Sequence, residues 1–179
     1  MRLTKKMVME VAHHEGIIRQ AYKDSVGIWT WSVGITSASG HFVERYIDKP
    51  ASLERCLEVW VWLLQKYADD VEVAFTRPLS EAQKAAALSF HWNTGAINRA
   101  TWVDDFNKGN SKDAYKNIMN WRSPSEIIPR REDERDLFFE GTWVGSGTMT
   151  EYTRLTSNYT PVWSSARKIN VDGILDDLL

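Results

Sequence analysis

From Ser52 to Thr76 the apolar residues Leu53, Cys56, Leu57, Trp60, Leu63, Leu64, Tyr67 and Val71 recur at three- and four-residue steps, which predicts one long helix with a wide apolar face. Ser52 is placed to cap it and Arg77-Pro78 to break it. Such a helix, over residues 51–76, is able to join two lobes, and the pattern differs on its two sides. Before it, Tyr22 to about Ile47 runs in short β-branched and aromatic stretches broken by Gly27, Gly34 and Ser37-Ala38-Ser39-Gly40, the pattern of a small antiparallel sheet. After it, helical spacing returns. Ser80-Glu81-Ala82-Gln83 reads as a capping box opening an apolar helix from Ala85 to Trp92 that ends at Asn93-Thr94-Gly95. Further helices are expected near 100–108, 111–121 and 130–140. At the amino end Thr4 is placed to cap a helix carrying Met7, Val11 and His14, which delivers Glu15 near its end.

The expected fold class is therefore α+β and mainly helical, a single domain over residues 1–179. A small β-containing lobe covers 12–50, the connecting helix 51–76, and a larger helical lobe 77–143 with residues 1–11 packed on it. Residues 144–179 form an extension to which the sequence assigns no role. Periodicity fades there, after Gly145-Ser146-Gly147, until an acidic, leucine-rich ending over 172–179.

Composition narrows the classes of function. At 179 residues the chain can bury a core without metal or disulfide staples, and its lone cysteine, Cys56, excludes an intrachain disulfide and a cysteine-based zinc cluster. Lys and Arg number 22 against 24 Asp and Glu, so a nucleic-acid partner is not expected. No apolar run reaches the roughly 20 residues of a membrane helix, and Met1 to Val11 lacks one of signal-peptide length, so neither membrane anchor nor export signal is expected. His13, His14, His41 and His91 have no metal-ligand spacing, and no metal or cofactor is expected. His91, on an apolar helix, reads as a core histidine. Nine tryptophans are available to fill a core or to stack on sugars, and for Trp29 and Trp31, either side of Thr30, both readings stand.

The chemistry concentrates in Glu15-Gly16, Tyr22, Asp24, Gly27 and Thr30. Asp24 and Thr30 lie on either side of a Ser25-Val26-Gly27 turn, so a hairpin brings both toward one face, where the end of the first helix can deliver Glu15. Cleaving a glycosidic bond needs a proton for the departing oxygen and a nucleophile at the anomeric carbon, and two carboxyl groups supply both. Glu15 and Asp24 are the candidates, with Thr30 placed to help Asp24 hold a water. A separation of about 6.5 to 9.5 Å would leave room for that water and invert configuration.

Glu15-Gly16, Ala21-Tyr22-Lys23-Asp24, Gly27 and Trp29-Thr30 resemble the catalytic signature of the phage-type lysozymes, or endolysins, of glycoside hydrolase family 24. Other segments follow in order. Leu79-Ser80-Glu81-Ala82-Gln83 leading to Ser89-Phe90-His91-Trp92-Asn93-Thr94-Gly95-Ala96 is similar to that family's buried helix, Thr101-Trp102 through Asn107 to the next one, and Pro129-Arg130-Arg131-Glu132-Asp133-Glu134-Arg135 to its arginine-bearing late helix. The resemblance spans about residues 7 to 143. It implies a lysozyme-like fold binding peptidoglycan, with Glu15 as acid and with Asp24 and Thr30 holding the water. It also implies Arg131 as the arginine that organises the acid or binds substrate, with Tyr22 in the same supporting class. One departure is Thr30-Trp31-Ser32-Val33-Gly34-Ile35, where many relatives carry a glycine before Gly34 and a histidine after it.

The resulting expectation is an endolysin, a muramidase that cuts the β-1,4 bond between N-acetylmuramic acid and N-acetylglucosamine and lyses the host. It would act as a monomer held in the host cytoplasm until a holin releases it to the wall. Two alternatives stand beside it. One is a lytic transglycosylase on the same substrate, against which Asp24 and Thr30 argue because that chemistry needs no water holder. The other is an inactive wall-binding module.

Overall fold

The structure, a computed structural model, describes all residues from 1 to 179. The chain divides into two compact units, one of residues 1–11 and 64–145 and one of residues 12–63 and 146–179. Two helices contribute to both: α1 (Lys5–His13) and α2 (Leu53–Ala74).

The first unit is helical. Its centre is α3 (Glu81–Thr94), buried without interruption from Ala85 to His91. Three consecutive alanines there let neighbouring backbones approach closely, and α6 (Ile128–Glu140) packs against this helix. Phe90 meets the indole of Trp102 edge-on at 5.2 Å, and Trp102 in turn meets Phe138 at 5.2 Å. Trp102 sits on α4 (Thr101–Asn107), which α5 (Ser111–Asn117) follows. The caps form as expected: Ser80 and Gln83 close a full capping box, and Gly95 ends α3 in the left-handed region at φ +65°. Thr4 Oγ1 accepts from the Met7 amide, and Ser52 Oγ from the Arg55 amide. His91 is a core histidine: Nδ1 accepts from the Ile97 amide, so Nε2 carries the proton and donates to Asp70 at 2.9 Å.

The helical unit closes on a buried carboxylate. Glu10, 1% exposed, accepts the amides of Val144 and Gly145 at 2.6 to 3.2 Å, fastening the end of the unit to α1. A Cβ on Gly145 would lie 2.7 Å from Glu10 Cα and 2.9 Å from its backbone nitrogen. Since backbone has to move to admit it, Gly145→Ala should destabilise by about 1–3 kcal/mol, read as a lower urea midpoint at unchanged slope.

The second unit holds a five-stranded sheet in the order β3-β2-β1-β4-β5, with β1 Gly16–Lys23, β2 Trp29–Ser32, β3 Ile35–Thr36, β4 Thr148–Tyr152 and β5 Ala166–Asn170. It departs from the expected antiparallel sheet over 22–47 in three ways. β1 starts at Gly16 rather than Tyr22, because Gly16-Ile17, just after His14-Glu15, pairs in parallel with Thr150 and Glu151. Two short 3-10 turns, Ser37–Ser39 and Val43–Tyr46, occupy the end of the expected sheet. The carboxy-terminal segment is ordered sheet followed by α7 (Asp172–Leu178), whose Leu175 is buried.

The turn after β2 accounts for the departure at Ser32. This residue holds φ +57° and Gly34 φ +69°. A left-handed serine costs roughly 1–2 kcal/mol, and the buried Ser32 Oγ offsets this by donating to the Cys56 carbonyl at 2.9 Å. Serine thus fills a position that glycine fills without strain.

Candidate active site

The β1–β2 hairpin, within the second unit, carries three of the candidate residues. Asp24 follows β1 directly, and the loop closes by two backbone bonds, Gly27 N–H to the Asp24 carbonyl and Asp24 N–H to the Ile28 carbonyl, each at 3.0 Å. Gly27 takes φ +83°, which its missing side chain permits. Asp24 Oδ1 accepts from the amides of Val26 at 3.0 Å and Ile28 at 2.9 Å, fixing the carboxylate in an Asx turn. Both bonds fall on one oxygen, which leaves Oδ2 without a protein donor.

Thr30 is the cross-strand partner of Tyr22, so the two side chains share a face of the sheet. Thr30 is 4% exposed and its hydroxyl donates to the Ile28 carbonyl at 3.0 Å. With its one proton committed, Oγ1 offers only lone pairs. Ile28 therefore serves the site through its backbone, donating to Asp24 and accepting from Thr30. Sequence reading missed it because no side-chain type signals such a role.

Glu15 lies between α1 and β1, its amide donating to the Ala12 carbonyl at 3.0 Å. Its carboxylate and that of Asp24 both act on Tyr22. Burial first, then the charge of Glu15, then that of Asp24, push the Tyr22 phenol up to about 12. The structure thus gathers Glu15, Tyr22, Asp24 and Thr30 in one neighbourhood, two carboxyls around one neutral phenol. Tyr22 should stay protonated in the folded chain well past the ordinary phenol range near 10. A raised native pKa stabilises the fold below the unfolded value and loses that contribution as pH climbs, so stability should fall from about pH 10 toward 12. Asp24→Asn should bring the Tyr22 titration down, followed by NMR of the ring carbon bearing the hydroxyl; an unmoved titration would separate the two groups.

Arg131 reads differently in the structure than in the sequence. It is fully buried in the helical unit. Nε donates to the Trp121 carbonyl at 2.8 Å, and the two terminal nitrogens bond to Glu134 and Asn93. Glu134, 1% exposed, also accepts from Arg130 Nε at 3.0 Å and Ser89 Oγ at 2.6 Å. Burial pulls the Arg131 guanidinium down from its ordinary value while Glu134 holds it up. These bonds make Arg131 a strut of the helical core.

The tryptophans beside Thr30 divide as well. Trp31 is completely buried, stacked on Tyr46 at 3.9 Å with its indole nitrogen donating to the Arg19 carbonyl, so it packs and does not stack on sugar. Trp29, half-buried, meets Tyr159 edge-on at 5.1 Å beneath the ammonium of Lys23.

Comparison with known proteins follows the same lines. The family profile described as phage lysozyme matches residues 12–134. Among solved structures, an endolysin from Escherichia coli O157:H7 phage FAHEc1 is similar with a TM-score of 0.72 and 21% identity, covering 80% of this chain and 97% of its own. A mutant of P22 lysozyme gives 0.66 and 27%, covering 78% and 99%. The muramidase domain of SpmX from Asticaccaulis excentricus gives 0.66 and 21%, covering 77% and 97%. No curated protein sequence matches.

Proposed function

Because this chain belongs to the phage lysozyme family and is a glycoside hydrolase that cleaves peptidoglycan, we propose that it hydrolyses the β-1,4 bond between N-acetylmuramic acid and N-acetylglucosamine with inversion at the anomeric carbon. The observation that carries this reading is the hairpin geometry, in which two amides tie Asp24 Oδ1 and leave Oδ2 open while Thr30, its proton given to the Ile28 carbonyl, offers lone pairs. The charges of Glu15 and Asp24 on the neighbouring Tyr22 agree with it. Glu15 gives its proton to the departing glycosidic oxygen. A water enters from the opposite face of the sugar, one of its protons accepted by Asp24 Oδ2 and the other directed to Thr30 Oγ1. As the water's oxygen bonds to the anomeric carbon and the glycosidic bond breaks, Asp24 takes the proton, leaving a new hydroxyl inverted in configuration. The bond from Thr30 to Ile28 supports this division of labour, since it turns the hydroxyl into an acceptor. Tyr22 remains neutral through the working range and flanks both carboxyls as a supporting group.

The same reading extends to biology. The enzyme acts as a monomer that lyses the host, accumulating in the host cytoplasm until a holin opens the way to the wall. No helix is long and apolar enough to cross a membrane, in keeping with that dependence.

The test is proton NMR of the anomeric signals during digestion of purified peptidoglycan. Inversion expects the α-anomer of the new reducing end first, with β appearing only by later mutarotation. The β-anomer first would overturn the water-holding role of Asp24 and Thr30.

A further inference from the structure

Residues 146–179 lie beyond the stretch matched by the family profile, yet they supply five of the eleven residues that line a cavity in the sheet unit. β1 and β4 run side by side only over Gly16-Ile17 and Thr150-Glu151. Past that point β1 continues against β2, while the chain after β4 swings out and returns at Tyr159, whose carbonyl accepts the Lys23 amide at 2.7 Å. Between the diverging segments opens a cavity of about 610 Å³, within the size range of small-molecule sites.

Its chemistry is set by a carboxylate shared between two arginines. Glu151, 3% exposed, lines the cavity and binds Arg19 Nε through Oε2 at 3.2 Å and a terminal nitrogen of Arg167 through Oε1 at 3.0 Å. The arginine side chains keep 36% and 57% of their surface open. Each guanidinium gives Glu151 a single nitrogen, so the rest of each planar fork has no protein acceptor. Two cations on one carboxylate leave one net positive charge, held in place from below. The ring of Tyr152 forms another wall, and Trp163 stands perpendicular to that ring at 5.0 Å, largely exposed.

We propose that this cavity is a second recognition site, separate from the Glu15–Asp24 pair, which binds the free carboxylates of the peptidoglycan stem peptide. The inference rests on the wall-cleaving reading above. Guanidinium forks match carboxylates in plane and charge. The glycan strand itself is largely neutral, so the carboxylates of its peptides are what a preset pair of arginines has to read. The two aromatic rings add apolar surface for the adjoining sugar or peptide. Glu151 keeps the arginines apart from each other and presented, the arrangement a docking site needs before its ligand arrives.

The test uses the full-length Glu15→Gln chain, which binds without cutting, titrated by calorimetry with a muramyl pentapeptide, with a peptide-free N-acetylglucosamine oligomer and with inorganic phosphate. Arg167→Gln in that background should weaken the pentapeptide by about tenfold and leave the oligomer unchanged. In the otherwise wild-type enzyme it should leave the cutting of peptide-free strands unchanged. Arg167 is exposed on an edge strand and Glu151 retains Arg19, so the variant keeps its fold, checked by its unfolding midpoint. Unaltered pentapeptide affinity in Arg167→Gln overturns the site. Phosphate binding as tightly as the pentapeptide overturns the stem-peptide assignment. Cutting without any pentapeptide binding overturns this inference alone, whereas failure of the wild type to cut any strand overturns the reading of Glu15 and Asp24.

Discussion

Glu15→Gln should abolish release of sugar ends from peptidoglycan, lowering the rate by at least about a hundredfold, the small end of what a positioned general acid supplies, and leave thermal unfolding nearly unchanged. The amide keeps the shape and hydrogen-bonding capacity of the carboxyl and removes only the transferable proton. Glu15 contributes its backbone to the joint between α1 and β1, through its amide bond to Ala12, and the substitution preserves that bond. The same variant removes one of the two charges that act on Tyr22, so its phenol should titrate lower. A dead enzyme with an unmoved Tyr22 titration would mean that Glu15 acts away from the Asp24 hairpin.

The largest expected loss of stability is in the helical unit. Glu134→Gln should cost about 3–5 kcal/mol, the range for breaking a buried ion pair by removing one partner. Glu134 is the acceptor on which Arg131, Arg130 and Ser89 converge, and Arg131 has no exposed surface through which water can compensate its charge. Urea unfolding measures this directly. Arg131→Met combined with Glu134→Leu should recover part of the loss, because a packed apolar pair needs no charge compensation. A change below about 1 kcal/mol in Glu134→Gln would place the pair among weak surface salt bridges and contradict its role as a strut.

The contrast between Glu15 and Arg131 shows what a sequence exposes. Glu15, Asp24 and Thr30 could be proposed as a group because residue type at close spacing is visible in sequence, and the structure sets Glu15 just before β1 and the other two on the β1–β2 hairpin. Arg131 stands in a charged run, Arg130 to Asp136, where the sequence does not say which cation turns inward; packing against α3 and the acceptors Glu134 and Asn93 decide that. The helices read well because caps and apolar spacing are local, as at Ser80, Gln83 and Gly95. The sheet read poorly where its signals are not hydrophobic. β4 alternates correctly, with Met149 and Glu151 inward, but a glutamate on the buried face hides the strand. β5 is an exposed edge strand, Ala166-Arg167-Lys168-Ile169-Asn170, with no apolar face to announce it. Its pairing is set by β4, and β4 by a parallel contact with β1 more than a hundred residues earlier, which no local window contains.

Digestion of purified peptidoglycan in water enriched in oxygen-18, with mass spectrometry of the released ends, tests the central claim most directly. Hydrolysis by Glu15, Asp24 and a held water expects reducing N-acetylmuramic acid ends that carry the label, and their disappearance in Glu15→Gln. Unlabelled 1,6-anhydro ends would make the sugar's own hydroxyl the nucleophile and contradict the account, and binding to the wall with no ends released would contradict it altogether.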